Sequence, residues 1–385
     1  MRRTAFAGTL LLGLSMLELK AETLGDARLE PMAFSAMVGW DRDDHAAAFE
    51  VFRRSCAAVV QAVPALRPAS AAGPDLRASC EAALALKQPP RDEARRFFET
   101  HFTPLHVRPA SGAGFLTGYF EPEFDGALER TAAFPTPLLA RPEDLVTALQ
   151  GETLVGLEPG LQAGRRTDTA LEPYPDRAAI EDGALGDLVK PVVFLRDAVA
   201  AFVIHVQGSA RIRLPDGRIV RVAYAGRNGR PYTSIGRILV KEGHIPLEEM
   251  SLERLMAWLR ANPIEGRAVM RQNHSYIFFR LADELDPADG PIGGAGLPLT
   301  PGRSLAVDRN LWSYGLPFWL DGELPLAGGD SEPLRRLMIA QDTGTAIVGP
   351  ARGDFFFGSG AEAGTRAGLL RHPARFIVLL PKPPR

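Results

Sequence analysis

Cysteine is nearly absent: the 385-residue chain holds two, Cys56 and Cys80. Two thiolates alone do not complete a zinc site, and the seven histidines are scattered, with no H-E-x-x-H and no C-x-x-C. No metal and no cofactor are expected. Beyond the N-terminus no apolar run approaches the ~18 residues of a membrane helix, so no later span is expected. Excess charge of either sign is also missing. Lys+Arg number 44 against 46 Asp+Glu, and a net charge of −2 leaves no basic field to hold nucleic acid. The nucleophile elbow G-x-S-x-G and the Walker loop are both absent. "GPIGGAG" (290–296) is glycine-rich, but no helical pattern follows it, so it is a weak phosphate site.

What is present begins with "MRRTAFAGTLLLGLSMLELKAE", two arginines before an apolar run and then small residues. That is the layout of a secretory signal over 1–21, although Leu19 stands where a cleavage site prefers a small side chain. In an exported protein the two cysteines, both in Ala-rich helical text, read as a disulfide closing a helical hairpin. Two buried free thiols are the alternative.

Residues ~25–100 carry apolar positions at helical spacing. From "GFLTGYFEPEFDG" (114–126) the text turns to strand and turn, and ~130–190 is a Pro-rich excursion. "FVIHVQGSARIRLPDGRIVRVAYAG" reads as strands from Phe202, with a hairpin at Asp216-Gly217. "SLERLMAWLRANP" is an amphipathic helix with Leu252, Leu255, Met256 and Leu259 on one face, stopped by Pro263. "SYIFFRL" and four runs after Arg303 read as further strands, with a short helix near 362–370. Mixed strands with few long helices predict a mainly β, α+β protein.

The stretch "AQDTGTAIVGPARGDFFFG" (340–358) frames the chemistry. Asp342-Thr343-Gly344 spells the turn of an aspartic protease. Such an enzyme needs two of these turns sharing one proton, and the chain has one. The second acid, Asp354, precedes Phe355, Phe356 and Phe357. Apolar neighbours disfavour ionisation, and a carboxyl kept protonated near neutral pH can protonate a glycosidic oxygen. Three phenylalanines in a strand also suit ordinary core.

Read in order, "TGYFEPEF" (117–124), "VQGSARIRLPDG" (206–217), "YTSIGRILV" (232–240), "NPIEGRAVMRQNHSYIFFR" (262–280), "PLTPGRSLAVDR" (298–309) and "AQDTGTAIVGPARGDFFFGSGAEAG" (340–364) resemble the membrane-bound lytic murein transglycosylase A family. The last piece is similar to the family's 3D module, whose three aspartates map to Asp308, Asp342 and Asp354. The resemblance implies a double-psi β-barrel. Its helical N-terminal part and first barrel strands would lie in 22–124, an inserted smaller β-domain in 125–285, and the 3D domain completing the barrel in 286–385.

It also implies a reaction. The β-1,4 bond between N-acetylmuramic acid and N-acetylglucosamine is cleaved by carbon–oxygen lyase chemistry, leaving a 1,6-anhydro end. Asp354 would be general acid and then base, with Asp342 and Asp308 orienting groups or adding charge. Thr117, Tyr119, Gln207 and Ser209 would bind sugar. Peptidoglycan glycan strands are the implied partner, and proteins of cell-wall synthesis or division stay open as others. The family's characterised members often carry a lipid-modified cysteine just after the signal. None occurs here before Cys56, so a periplasmic form is expected, with outer-membrane association left open. The competing reading is an inactive peptidoglycan-binding protein.

Overall fold

The computed structural model describes residues 22–383, except 149–153, 159, 283–284, 286–288 and 327. The expected export signal over 1–21 lies outside the described residues. No helix among the described residues is long and apolar enough to cross a membrane.

The architecture is mixed α+β. Six strands close into a ring: Phe115–Glu121, Arg371–Pro381, Pro317–Pro325, Ser331–Asp342, Ser304–Val307 and Arg352–Ser359, which returns to Phe115–Glu121. Two of the pairings are parallel, Ser304–Val307 with Ser331–Asp342 and Arg352–Ser359 with Phe115–Glu121; the others are antiparallel. Closure leaves these six without a free edge. Buried residues from both faces of these strands, among them Leu116, Leu305, Phe318, Leu337, Ile339, Phe355 and Phe376, belong to the main core.

Three helices, His45–Gln61, Pro74–Ala85 and Arg91–His101, cover one side of the ring. The first and third pack through Phe49, Phe52, Phe97 and Phe98, which meet one another and, apart from Phe49, Phe102, edge to face or tilted. Such geometry sets the electropositive ring edge against the electronegative face. Cys56 and Cys80 are fully buried and joined, tying the first helix to the second. The joined cysteines enclose the loop 62–73, which reaches the cleft described below.

A second six-stranded sheet runs in the order Ile277–Leu281, Ile219–Arg227, Ser209–Arg213, Glu123–Ala127, Pro191–Leu195, Thr136–Leu139. The Asp216-Gly217 hairpin forms as expected, with Gly217 at φ +85°. Residues 202–207, expected as strand, are instead the end of a helix, Ala198–Gln207. Its text is apolar on every side, and a helix buried all round shows no amphipathic period. The stop signals were there: Asp197 caps the first turn by accepting from the Ala200 N–H, and Gly208 ends it at φ +84°. Pro263, expected to stop a helix, also opens the next one, Pro263–Arg271, where a missing N–H costs nothing.

The two sheets are fastened by one acid. Glu121, wholly buried at the end of a ring strand, accepts from Ser359 Oγ at 2.6 Å, Arg211 Nε at 3.1 Å and Arg221 at 3.2 Å. Ser359 belongs to the ring; the two arginines belong to the second sheet.

The bridge between Cys56 and Cys80 closes a loop with a sequence separation of 24. Chain-entropy reasoning assigns such a loop about 3 kcal/mol. Replacing both residues by serine should lower the urea midpoint accordingly. An unchanged midpoint would show that the bridge adds nothing to the fold.

Candidate active site

Strand pairing places the acid. Arg352–Ser359 lies between Ser304–Val307 and Phe115–Glu121, in a register that sets Asp354 between Ala306 and Thr117. Alternation puts Asp354 and Phe356 on one face of the strand, Phe355 and Phe357 on the other. Phe355 enters the main core, and its ring lies 4.6 Å from that of Phe357. Phe356 is fully buried, 5.2 Å from the Tyr119 ring. Part of the phenylalanine run is therefore core, while one ring backs the face that carries Asp354.

Asp354 is half-buried on the wall of a cavity of about 300 Å³ between the ring and the end of the helix Ala198–Gln207, with Tyr232, Ser275 and Ile277 also on its wall. Tyr119, Gln207, Asp342 and His205 line the same cavity. Thr117 does not: its hydroxyl donates to Asp354 Oδ1 at 2.5 Å and accepts from Arg352 at 2.8 Å. It is a partner of the carboxyl, not a lining residue. Gln207 ends the helix Ala198–Gln207, and Ser209 begins the next strand and lines an adjoining hollow with Tyr119 and Asp342.

Asp342 is held differently. Its Oδ1 accepts from the Gly294 N–H at 2.7 Å and the Thr343 N–H at 2.8 Å, and its Oδ2 accepts from Tyr119 Oη at 2.9 Å. The glycine-rich loop thus serves as a backbone donor. A Cβ at Gly294 would come within 2.4 Å of the Tyr314 hydroxyl, and one at Gly293 within 2.7 Å of the Gln341 carbonyl. Only glycine allows this approach.

Asp308 stands apart. It is buried, and its Oδ1 and Oδ2 accept from the backbone N–H groups of Asn310 at 3.0 Å and Gly349 at 2.8 Å. It does not line the cavity that holds Asp354 and Asp342. Its geometry is that of a clamp between two loops.

Burial pushes the Asp354 carboxyl up to about 6; the Thr117 hydrogen bond and the Arg352 charge oppose the shift, and Asp342 adds to it. Burial also raises Asp342, against the pull of Arg67 and of its donors at Thr343, Gly294 and Tyr119. Burial, then the charge and hydrogen bond of Asp342, raise the Tyr119 phenol well above its ordinary value.

Sequence reasoning missed four groups here. Arg67 donates to the Thr343 carbonyl at 3.1 Å, and Arg352 supports Thr117. Tyr314 points its hydroxyl at Gly294. Among the described residues His205 has no hydrogen-bond partner at either ring nitrogen, and it meets the Tyr276 ring edge-on at 4.3 Å. Burial, then the Arg177 charge, holds that imidazole well below its ordinary value, so it is neutral. Nothing in the local text marks these residues, because each is recruited by a distant segment.

Known proteins resemble this chain in sequence and fold. The MltA specific insert domain model matches residues 115–280, and the 3D domain model matches 303–380. A membrane-bound lytic murein transglycosylase from Agrobacterium tumefaciens aligns with a TM-score of 0.82 at 36% identity, covering 92% of this chain and 97% of that one. The chain belongs to the membrane-bound lytic murein transglycosylase A family. The Escherichia coli member crystallised with chitohexaose has a TM-score of 0.63 at 25% identity, with 94% of each chain covered. The Vibrio cholerae membrane-bound lytic murein transglycosylase A is 34% identical over 208 residues, 52% of this chain and 54% of that protein. The chain spans about half the length of the curated relatives it matches. Between them the two family models take in strands of both the ring and the second sheet.

A stability measurement tests the carboxyl's environment without reference to function. Asp354 titrates at about 6 when folded against an ordinary 3.8, so protonation favours the native state. That contribution is complete below the unfolded value and is lost as pH rises through the folded one. Asp354→Asn should therefore be more stable than wild type near pH 8, by about 2 kcal/mol after allowing for partial exposure. The difference should vanish toward pH 4. A variant less stable than wild type at pH 8 would contradict the assigned shift.

Proposed function

We propose that this protein is a peptidoglycan lytic transglycosylase, cleaving the β-1,4 bond between N-acetylmuramic acid and N-acetylglucosamine. The observation that carries the reading is a carboxyl pushed up to about 6 on the wall of a cleft, beside a second carboxylate supplied with more hydrogen-bond donors. The E. coli relative bound to chitohexaose supports a glycan chain as the occupant.

The steps follow from one acid. Asp354 gives its proton to the glycosidic O4 as the C1–O4 bond breaks. The C6 hydroxyl of the same muramic ring forms the new bond to C1, and its proton passes to the Asp354 carboxylate. The acid is regenerated and no water is consumed. Ordinary glycosidases need a second carboxylate to attack or to activate water; an intramolecular hydroxyl already has the required proximity.

Asp342 keeps a negative charge close to Asp354 and holds the Tyr119 phenol in the cleft wall. Positive charge developing at C1 is stabilised by that field. Tyr119, Gln207 and Ser209 present an aromatic face and hydrogen-bonding groups to the sugar. Thr117 acts through Asp354, and Asp308 through the loops it joins.

We infer further that the closed ring is a double-psi barrel and that 125–285 is an inserted domain. The buried disulfide and the glycan substrate both favour a periplasmic location.

Purified sacculi should yield muropeptides one water lighter than muramidase products. Reducing ends would mark a hydrolase; intact sacculi would mark the inactive binder. Asp354→Asn should lower turnover by about 10²-fold or more while still binding sacculi. For wild type, kcat/KM should fall about tenfold per pH unit above about 6, because the protonated acid is the active form. A flat profile from pH 5 to 8 would assign the proton to another group.

A further inference from the structure

The cleft continues past Asp354 into a hollow of about 190 Å³, which shares Arg67, Thr343 and Thr345 with the cavity around the acid. Arg67, Arg227 and Arg309 stand on its wall. They come from three separated segments: the loop 62–73, the end of the strand Ile219–Arg227, and the loop after Ser304–Val307.

Each is held by a neutral oxygen. Arg67 donates to the Thr343 carbonyl at 3.1 Å, Arg227 to the Thr345 hydroxyl at 3.0 Å, and Arg309 to the Pro68 carbonyl at 2.9 Å. The Arg67 guanidinium also lies 4.3 Å from the centre of the Tyr224 ring. Many other arginines in this protein meet carboxylates, as in Arg303–Asp43, Arg221–Glu121 and Arg271–Asp182, although some, such as Arg141 and Arg230, also donate to carbonyls. Among the described residues, Asp308 is the acid on this wall, and both its oxygens already accept backbone N–H groups.

Gathering three half-buried cations with one carboxylate, Asp308, on their wall and Asp342 beside Arg67 leaves the positive charge in excess. Burial, then the Arg67 and Arg309 charges, hold Arg227 below its ordinary value against the opposing pull of Tyr224. An anionic group entering the hollow would relieve that repulsion. Guanidinium forks bind carboxylates in two-point fashion, and neutral acceptors leave the remaining N–H groups available.

The sugar rings of peptidoglycan are uncharged. Its carboxylates lie on the lactyl arm of the muramic sugar or on the peptide attached there. We propose that the three arginines form a subsite for a carboxylate borne on that arm, placed so that its capture seats the muramic ring at Asp354. The proposal rests on the lytic reading above.

The test compares wild type with the Arg227→Gln/Arg309→Gln double variant. Arg67 is left in place because it supports Thr343 and packs on Tyr224. Three substrates are used: peptide-bearing glycan strands, strands trimmed by an amidase, and strands whose carboxyls are all capped as amides. Product mass and KM are read for each, with thermal unfolding as a check on folding. On peptide-bearing strands the variant's KM should rise about tenfold or more. On capped strands the two proteins should match, with wild type brought to the variant's level. Loss on trimmed strands as well shows that the subsite also takes the lactyl carboxylate that the amidase uncovers; retention there confines it to the carboxylates of the peptide. Equal loss on capped strands, or no loss on peptide-bearing ones, overturns the subsite while leaving the lytic reading intact. Absence of anhydro product from wild type on all three substrates overturns that reading, and the subsite with it.

Discussion

The site is governed by an unequal supply of hydrogen-bond donors to two neighbouring aspartates. Asp342 receives two backbone N–H groups and a phenol; Asp354 receives one hydroxyl. Donors stabilise the charged form of a carboxyl and burial destabilises it. With both acids largely buried, the Arg67 charge and the larger donor count at Asp342 together favour its ionising first. Asp342 is the better supplied, so its charge adds to the cost of a second charge on Asp354. Two similar residues are thereby sorted into a carboxylate and an acid, the separation that proton-transfer chemistry needs.

Much of the surrounding structure maintains that inequality. The parallel pairing of Arg352–Ser359 with Phe115–Glu121 gives Asp354 its single donor, and Arg352 fixes that donor's direction by donating to Thr117 Oγ1. The glycine-rich loop and the 342–344 turn supply the donors of Asp342. Thr343 secures the turn by donating to the Val307 carbonyl at 2.9 Å, and Asp308, on the next residue, fastens Gly349. In the proposed reaction Asp308 therefore contributes through backbone placement.

The sequence disclosed the parts of this arrangement that lie within one strand or turn. Asp342 and Asp354 stand out in "QDTGTAIVGPARGDFFFG", and Tyr119, Gln207 and Ser209 fall where six ordered matches predict a groove. What it did not disclose depends on contacts across the chain. Thr117 reads as a sugar-facing hydroxyl, yet register alone turns it toward Asp354, 237 residues away. Arg67 sits in an unremarkable Pro-Ala loop, and its partner Thr343 lies 276 residues on. The helix Ala198–Gln207 was hidden for another reason: a segment apolar on all sides carries no period, so its two ends, Asp197 and Gly208, were the informative residues.

The disulfide-tied hairpin links these distant parts. Its loop leaves the buried helices and runs along the cleft, where the Arg67 N–H donates to the Gly294 carbonyl at 2.9 Å and the Ser70 N–H donates to the Arg309 carbonyl at 2.7 Å. Ser70 and Ser313 add side-chain bonds across the same seam at 2.9 and 2.8 Å. The loop thus touches the residues that supply Asp342 and the segment that carries Arg309. A loop of this length free at both ends would lose much conformational entropy on docking. Tying its flanking helices together removes part of that loss before the loop meets the cleft. The bridge, far from the chemistry, therefore bears on the position of Arg67, and through Arg67 on the charge of Asp342. In the proposed reaction that charge keeps the proton on Asp354.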